Sequence, residues 1–230
     1  MKKRINNNLP VITAIVITYI LIFIVSCSKD AKSPDTRHTT TGSSTIVYTD
    51  VKPDSLILKN HTDSFKIDLN NDGIPDFEFA RSHVVLCDDN ILGTWAYAIT
   101  LSVKPASGNN AIMTTGPNLP RALDSSTAIA KDSLWATISQ VLLYGATSAT
   151  GHCKTSVPII RGYWLNVFDK YIGLKFIKGN SMYYGWARLS SSYSLAPVPN
   201  HNLIISGQLT LKDYAYNSIP NQSILAGQTK

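Results

Sequence analysis

The sequence predicts an all-β protein built as an antiparallel β-sandwich. Three observations carry that expectation. Fourteen of the fifteen acidic residues are Asp and Glu78 is the only Glu. Amphipathic helices use Glu freely on their wet face because it loses little rotamer freedom there. Its near absence beside abundant Ser, Thr, Tyr, Asn and Gly favours strands and turns. Apolar residues also recur at every second position in segment after segment, the period of a half-buried strand. Finally, seven or more such segments are separated by turn chemistry, as in an antiparallel sandwich, with no internal repeat of fixed period.

Strand character begins at Ile46. In Ser64–Leu69 the residues Phe65, Ile67 and Leu69 fall on one face and Lys66 and Asp68 on the other. Phe77-Glu78-Phe79 repeats the alternation, and Tyr97–Val103 extends it up to Lys104-Pro105. Residues 105–127 are rich in Pro, Gly, Asn and Ser and read as a long loop. Between Ala128 and Tyr144 the two periods compete. Leu134, Ile138, Val141 and Leu142 have helical spacing, whereas Trp135, Thr137 and Val141 suit a strand, and the expectation is one short helix. Trp164–Phe168 reads as a strand, and Ile172, Leu174 and Phe176 alternate in a second. Lys178-Gly179-Asn180-Ser181 is a hairpin turn, since Gly and Asn tolerate positive φ. Met182–Leu189 returns as its partner, and Leu203–Ile205 and Leu209–Leu211 close the body. The sandwich expected is jelly-roll or lectin-like in kind.

The N-terminus carries an address. Lys2, Lys3 and Arg4 precede an uncharged run from Val11 to Val25, which ends at Ser26-Cys27 before the polar Ser28-Lys29-Asp30. A spanning helix needs about 20 apolar residues, so the run is short for that role and suits a cleaved secretory signal. The layout resembles a bacterial lipoprotein signal, in which Leu usually stands three positions before the cysteine and small residues just before it; here those positions are Ile24, Val25 and Ser26, and Val25 is bulkier than usual. The resemblance implies that Cys27 is lipidated, with palmitate among the acyl chains, and becomes the new N-terminus. The expected organisation is a signal peptide over 1–26, a flexible tether over 27–45 and a single β-sandwich over 46–230. Residues 28–45 hold almost nothing apolar to bury, which suits a tether. The implied location is the cell envelope, anchored to the outer membrane on its periplasmic or surface face.

The formal net charge of +6 falls to +3 once Lys2, Lys3 and Arg4 leave with the signal. The remaining basic residues are scattered, so nucleic acid is not an expected partner. With Cys27 assigned to lipid, Cys87 and Cys153 form an even pair in an oxidising compartment and are expected to make a disulfide. It would enclose 67 residues and contribute about 2–4 kcal/mol. Two buried free thiols are the alternative. A zinc site using His83, Cys87, His152 and Cys153 is a third reading, which the adjacency of His152 and Cys153 disfavours on a strand.

Residues 68–76 read Asp-Leu-Asn-Asn-Asp-Gly-Ile-Pro-Asp. Oxygen-bearing side chains stand at loop positions 1, 3, 5 and 9, namely Asp68, Asn70, Asp72 and Asp76. Gly73 occupies position 6, where the chain must turn sharply, and Ile74 offers its carbonyl at position 7. Hard oxygen donors around a tight turn are what Ca²⁺ requires. Position 12 is Phe79 rather than a bidentate Glu, and the flanks read as strands, so this is not an EF-hand. The stretch resembles the calcium loops of extracellular modules such as dockerins and FG-GAP-type repeats. That resemblance implies a closing role for Asp76, with Glu78 as an added candidate. The competing reading is an Asx-rich turn that binds nothing, although three carboxylates held close together would repel one another without a cation.

Catalytic patterns are sparse. There is no G-x-S-x-G turn, and Asp88-Asp89, the adjacent acid pair outside the loop, reads as a solvated turn rather than a glycosidase pair. Trp95, Trp135, Trp164 and Trp186, with eleven Tyr, either line a sugar groove or fill the core, and the core is the favoured reading.

One further resemblance lies at the C-terminus. Tyr171–Phe176, Tyr184-Gly185-Trp186-Ala187-Arg188-Leu189, Asp213-Tyr214-Ala215-Tyr216 and Ile224-Leu225-Ala226-Gly227 together resemble the end of an uncharacterised family of secreted bacterial proteins, some of which carry a PEP-CTERM-type sorting segment. It implies no activity. Physically, these residues suit a hairpin with Trp186 in the core and Arg188 and Asp213 placed to pair. The functional expectation is a lipid-anchored binding or adhesion protein, with glycans or envelope proteins as partners. An envelope hydrolase and a purely structural lipoprotein are the alternatives.

Overall fold

The computed structural model describes residues 44–57, 62–89, 94–116, 119–147, 159–198 and 201–230. The predicted signal peptide and nearly all of the tether, with Cys27, lie outside them, as does Cys153. Among the described residues the regular structure is all strand. In chain order the strands are β1 (Ile46–Ile57), β2 (Thr62–Ile67), β3 (Phe77–Asp89), β4 (Thr94–Pro105), β5 (Ala111–Thr114), β6 (Ala128–Ile129), β7 (Leu134–Ala136), β8 (Gln140–Ala146), β9 (Ile159–Arg161), β10 (Val167–Lys178), β11 (Ser181–Val198), β12 (His201–Asn217) and β13 (Ile224–Leu225).

Two large antiparallel sheets pack together. One has the order β2-β3-β4-β8-β9 and the other β1-β12-β11-β10-β5-β7. Period-2 alternation explains the core between them. Phe77 and Phe79 on β3, Ile99, Leu101 and Val103 on β4, and Ile172, Leu174 and Phe176 on β10 are all buried in one cluster. Arg81 also belongs to this inner face, where its Nε donates to the Gly207 carbonyl of the opposite sheet at 3.0 Å.

The six-stranded sheet is buried on its other face as well. Successive residues on β11 and β12 divide between two clusters. Ala187 and Tyr214 join the inter-sheet core, while their neighbours Trp186 and Ala215 join Tyr184, Ile46, Leu123, Ile129, Ile224 and Ala226 in a second one. A short ribbon of β6 and β13, paired Ile224↔Ile129 and Leu225↔Ala128, covers that face. The molecule thus has a third, small layer that alternation along single strands does not announce.

Several expectations change. The short helix over Ala128–Tyr144 is replaced by β6, β7 and β8. Leu134 and Ile138, half of the helical stripe, are exposed at 60% and 65%, whereas Trp135 pairs with Met113 across β5 and β7. The predicted loop over 105–127 contains β5, which pairs with β10 through Leu174↔Ile112. The strand expected at Trp164–Phe168 begins only at Val167. Trp164 is instead buried in the turn before it, its Nε1 donating to the Pro120 carbonyl at 3.0 Å. The two closing strands are one long strand, β12. The turn at 178–181 is as expected: Lys178 pairs with Ser181, and Gly179 alone of the two central residues has positive φ, +60°, the pattern of a type II′ hairpin.

Candidate metal centre

The 68–76 loop joins β2 to β3. The Asp76 N–H donates to the Ile67 carbonyl at 2.8 Å, next to the Ile67↔Phe77 pair that starts the ladder. Between these points the chain reverses through Asn71 (φ 54°) and Gly73 (φ 86°). Gly73 meets that need without the Cβ clash of an L side chain.

The side chains then fold onto their own backbone. Asp68 accepts from the Gly73 N–H at 2.6 Å and the Asp72 N–H at 3.3 Å. Asp72 accepts from the Ile74 N–H at 3.0 Å. The Ile74 side chain points to solvent, 70% exposed. Asn70 is different: its Oδ1 is shut off from solvent and has no hydrogen-bond donor. An unsatisfied buried oxygen costs about 1–3 kcal/mol, so the donor chemistry of this oxygen at loop position 3 suits a cation ligand.

Asp76 forms the floor. It is buried at 6%. Its Oδ2 accepts from the Leu69 N–H at 2.8 Å and its Oδ1 from Asn110 Nδ2 at 3.3 Å. Burial pushes its pKa up to about 6, the charges of Asp68 and Asp72 push the same way, and the Leu69 and Asn110 hydrogen bonds oppose them. Among the described residues no three His, Cys, Asp or Glu side chains gather into one metal-holding group. Asp68 and Asp72 are thus tied to N–H groups of the loop, and Asp76 braces the turn from its floor with one hydrogen bond to each carboxylate oxygen. Glu78 is not brought in: it pairs with Lys104 across β3 and β4 at 3.2 Å.

Asn110 was not among the residues singled out in sequence. It lies 34 positions beyond Asp76, in the stretch read as loop, and no local motif marks it.

The C-terminal motif residues divide between the two cores, and Tyr184, Trp186, Ala215, Ile224 and Ala226 meet in the second with Tyr171 against them. Trp186 is 1% exposed, its Nε1 donating to the Gln228 carbonyl at 3.2 Å. Tyr171 meets it edge-on, with ring centroids 5.2 Å apart. Arg188 grips Asp213 through two bonds, Nε to Oδ1 at 2.9 Å and an Nη nitrogen to Oδ2 at 2.5 Å, and the Tyr48 hydroxyl donates to the same Oδ2 at 2.9 Å. The motif therefore marks a packing unit. Trp164 and Trp186 fill the two cores, and Trp135 is half-buried with Lys175 Nζ 5.0 Å above its ring. The Trp95 side chain lies outside the described residues. His83 stacks on Tyr97, ring centroids 5.0 Å apart. Cys87 sits half-buried at the β3 bulge against Ala96.

The chain matches no protein-family model, no curated protein and no solved structure.

Proposed function

We propose that this chain is a lipid-anchored protein of the cell envelope, attached to the outer membrane through Cys27. Its β-sandwich holds one structural Ca²⁺ in the 68–76 loop and works by binding rather than catalysis. The observation that carries the calcium reading is the buried, donorless Oδ1 of Asn70. Asp68, Asn70, Asp72 and the Ile74 carbonyl would supply ligands, Asp76 would close the site, and water would complete the shell, as in extracellular calcium modules of modest affinity. The bound ion would offset the mutual repulsion of the loop carboxylates.

The binding reading rests on how the charged groups are used. Arg188 with Asp213, Lys104 with Glu78, Lys170 with Asp124 and Lys212 with Asp169 are spent on one another. A glycan partner would stack on exposed rings. Among the described residues Tyr48, Tyr163 and Phe168 are the exposed phenyl and phenol rings, with Tyr163 and Phe168 flanking the buried Trp164 in sequence. A Cys87–Cys153 disulfide, which would tie β3 to the segment before β9, belongs to the same proposal and is read by intact mass before and after reduction.

The deciding experiment is a thermal melt of the purified chain with Ca²⁺ and with a chelator. Calcium at about 100 times its Kd should add about 2.7 kcal/mol, raising Tm by several degrees, and Asp68→Ala should remove the rise. A flat response at millimolar Ca²⁺ reduces residues 68–76 to an Asx turn. Palmitate labelling that survives Cys27→Ser would overturn the anchor. A glycan screen in calcium that detects nothing would leave a structural or protein-binding lipoprotein.

A further inference from the structure

We infer that Asn110 is a positioning residue of the calcium loop, and that through it cation binding is felt in the opposite sheet; this rests on the calcium reading above. Asn110 is 3% exposed and lies in the connection between β4 and β5, its own N–H donating to the Ser107 carbonyl at 3.1 Å. Its side-chain amide is used at both ends. Nδ2 donates to the Asp76 carbonyl at 3.1 Å and to the Asp76 carboxylate at 3.3 Å. Oδ1 accepts from the Ile177 N–H at 3.1 Å, and Ile177 belongs to β10 of the six-stranded sheet. One planar amide therefore bridges the loop of one sheet to the backbone of the other. It cannot turn without breaking hydrogen bonds of buried groups on both sides.

Asp76 completes the connection. Its Oδ2 holds the Leu69 N–H, and its carbonyl also accepts from the Ala106 N–H at 2.8 Å. The states in which Asp76 is seated to close the ion site are thus the states in which Asn110 is seated against Ile177. A ligand that favours the first favours the second by the same free energy that links them.

Hydrogen exchange on the full chain in detergent micelles tests this, with Ca²⁺ as the probe and mass spectrometry following peptides of the loop, β10 and β12. At calcium ten times its Kd, exchange in the loop should slow about tenfold. The β10 peptide holding Ile177 should slow more than the β12 peptide of the same sheet. In Asn110→Ser the loop should still respond while β10 falls back to the β12 response. If that variant does not fold, Asn110→Asp replaces it, since it keeps the acceptor for Ile177 and removes the donor to Asp76. An equal response of β10 and β12 in the wild type, or an unchanged β10 response in the variant, overturns the inference while leaving the calcium site standing. No slowing of the loop and no heat of Ca²⁺ binding overturns the calcium reading, and the inference with it.

Discussion

Asp213 is 3% exposed and is held from two sides by Arg188 and Tyr48. A buried carboxylate left without partners is strongly destabilising, so this corner depends on all three groups. Tyr48 records the arrangement: burial, the hydrogen bond to Asp213 and the Asp213 and Asp50 charges push its phenol up to about 12, with Arg188 opposing. Because the folded value lies above the ordinary 10.0, the stability it contributes is complete below pH 10 and drains as pH rises from there towards 12. Denaturation curves recorded from pH 9 to 11.5 should fall more steeply for the wild type than for Tyr48→Phe. Parallel curves would show that the phenol is not held by Asp213. Of this corner the sequence made the Arg188–Asp213 pair legible, through the resemblance that brought their segments together. Tyr48 stayed hidden because it lies 165 positions from Asp213, and only the pairing of β1 with β12 brings them into contact.

At the scale of the element, two glycines of the β10–β11 hairpin separate local from tertiary demands. Gly179 has φ +60° and open space where a Cβ would go, whereas a Cβ on Gly185 would stand 2.6 Å from the Ala215 carbonyl of β12. Gly179→Ala should therefore cost only the backbone preference, about 1–2 kcal/mol. Gly185→Ala must move a neighbouring strand and should cost more, about 1–3 kcal/mol plus any lost ladder bonds. Urea titration of both variants checks the order, and a smaller loss at Gly185 would mean that β12 yields freely. The hairpin was legible because turn chemistry and alternation are both local. The region from Ala128 to Tyr144 was not. Its helical spacing rests on Leu134 and Ile138, which are exposed, and pairing with β5 fixes Trp135 in a strand. Propensity yields to partners that the local window does not contain. β5 itself was missed for the same reason: four residues among turn formers become a strand only beside β10.

Across the whole molecule, stability comes from three layers rather than two. Ile224, 1% exposed on the short ribbon, packs into the second cluster. Ile224→Ala should cost about 2–5 kcal/mol, lowering Tm without changing the calcium increment, because the second core and the 68–76 loop share no residue. A calorimetric melt with and without Ca²⁺ checks both parts, and a lost calcium increment would mean that the two regions unfold as one unit. The terminal Ile-x-Ala-Gly motif acquires its physical meaning here. Ile224 and Ala226 enter the core, and Gly227, at φ +79°, leaves room where a Cβ would lie 2.7 Å from the Tyr171 hydroxyl.

What the sequence by itself determined is therefore local: the all-β class, the main strands with period two, the hairpin at Gly179 and the oxygen-rich turn from Asp68 to Asp76. These depend on residues a few positions apart, so steric and hydrogen-bonding preferences decide them before any sheet forms. The tertiary structure alone decided which faces are covered twice, that Trp164 and Trp186 belong to different cores, that Glu78 turns to Lys104, and that Asp76 reaches the second sheet through Asn110. Those outcomes depend on burial and pairing between distant segments, which a single strand's pattern does not encode.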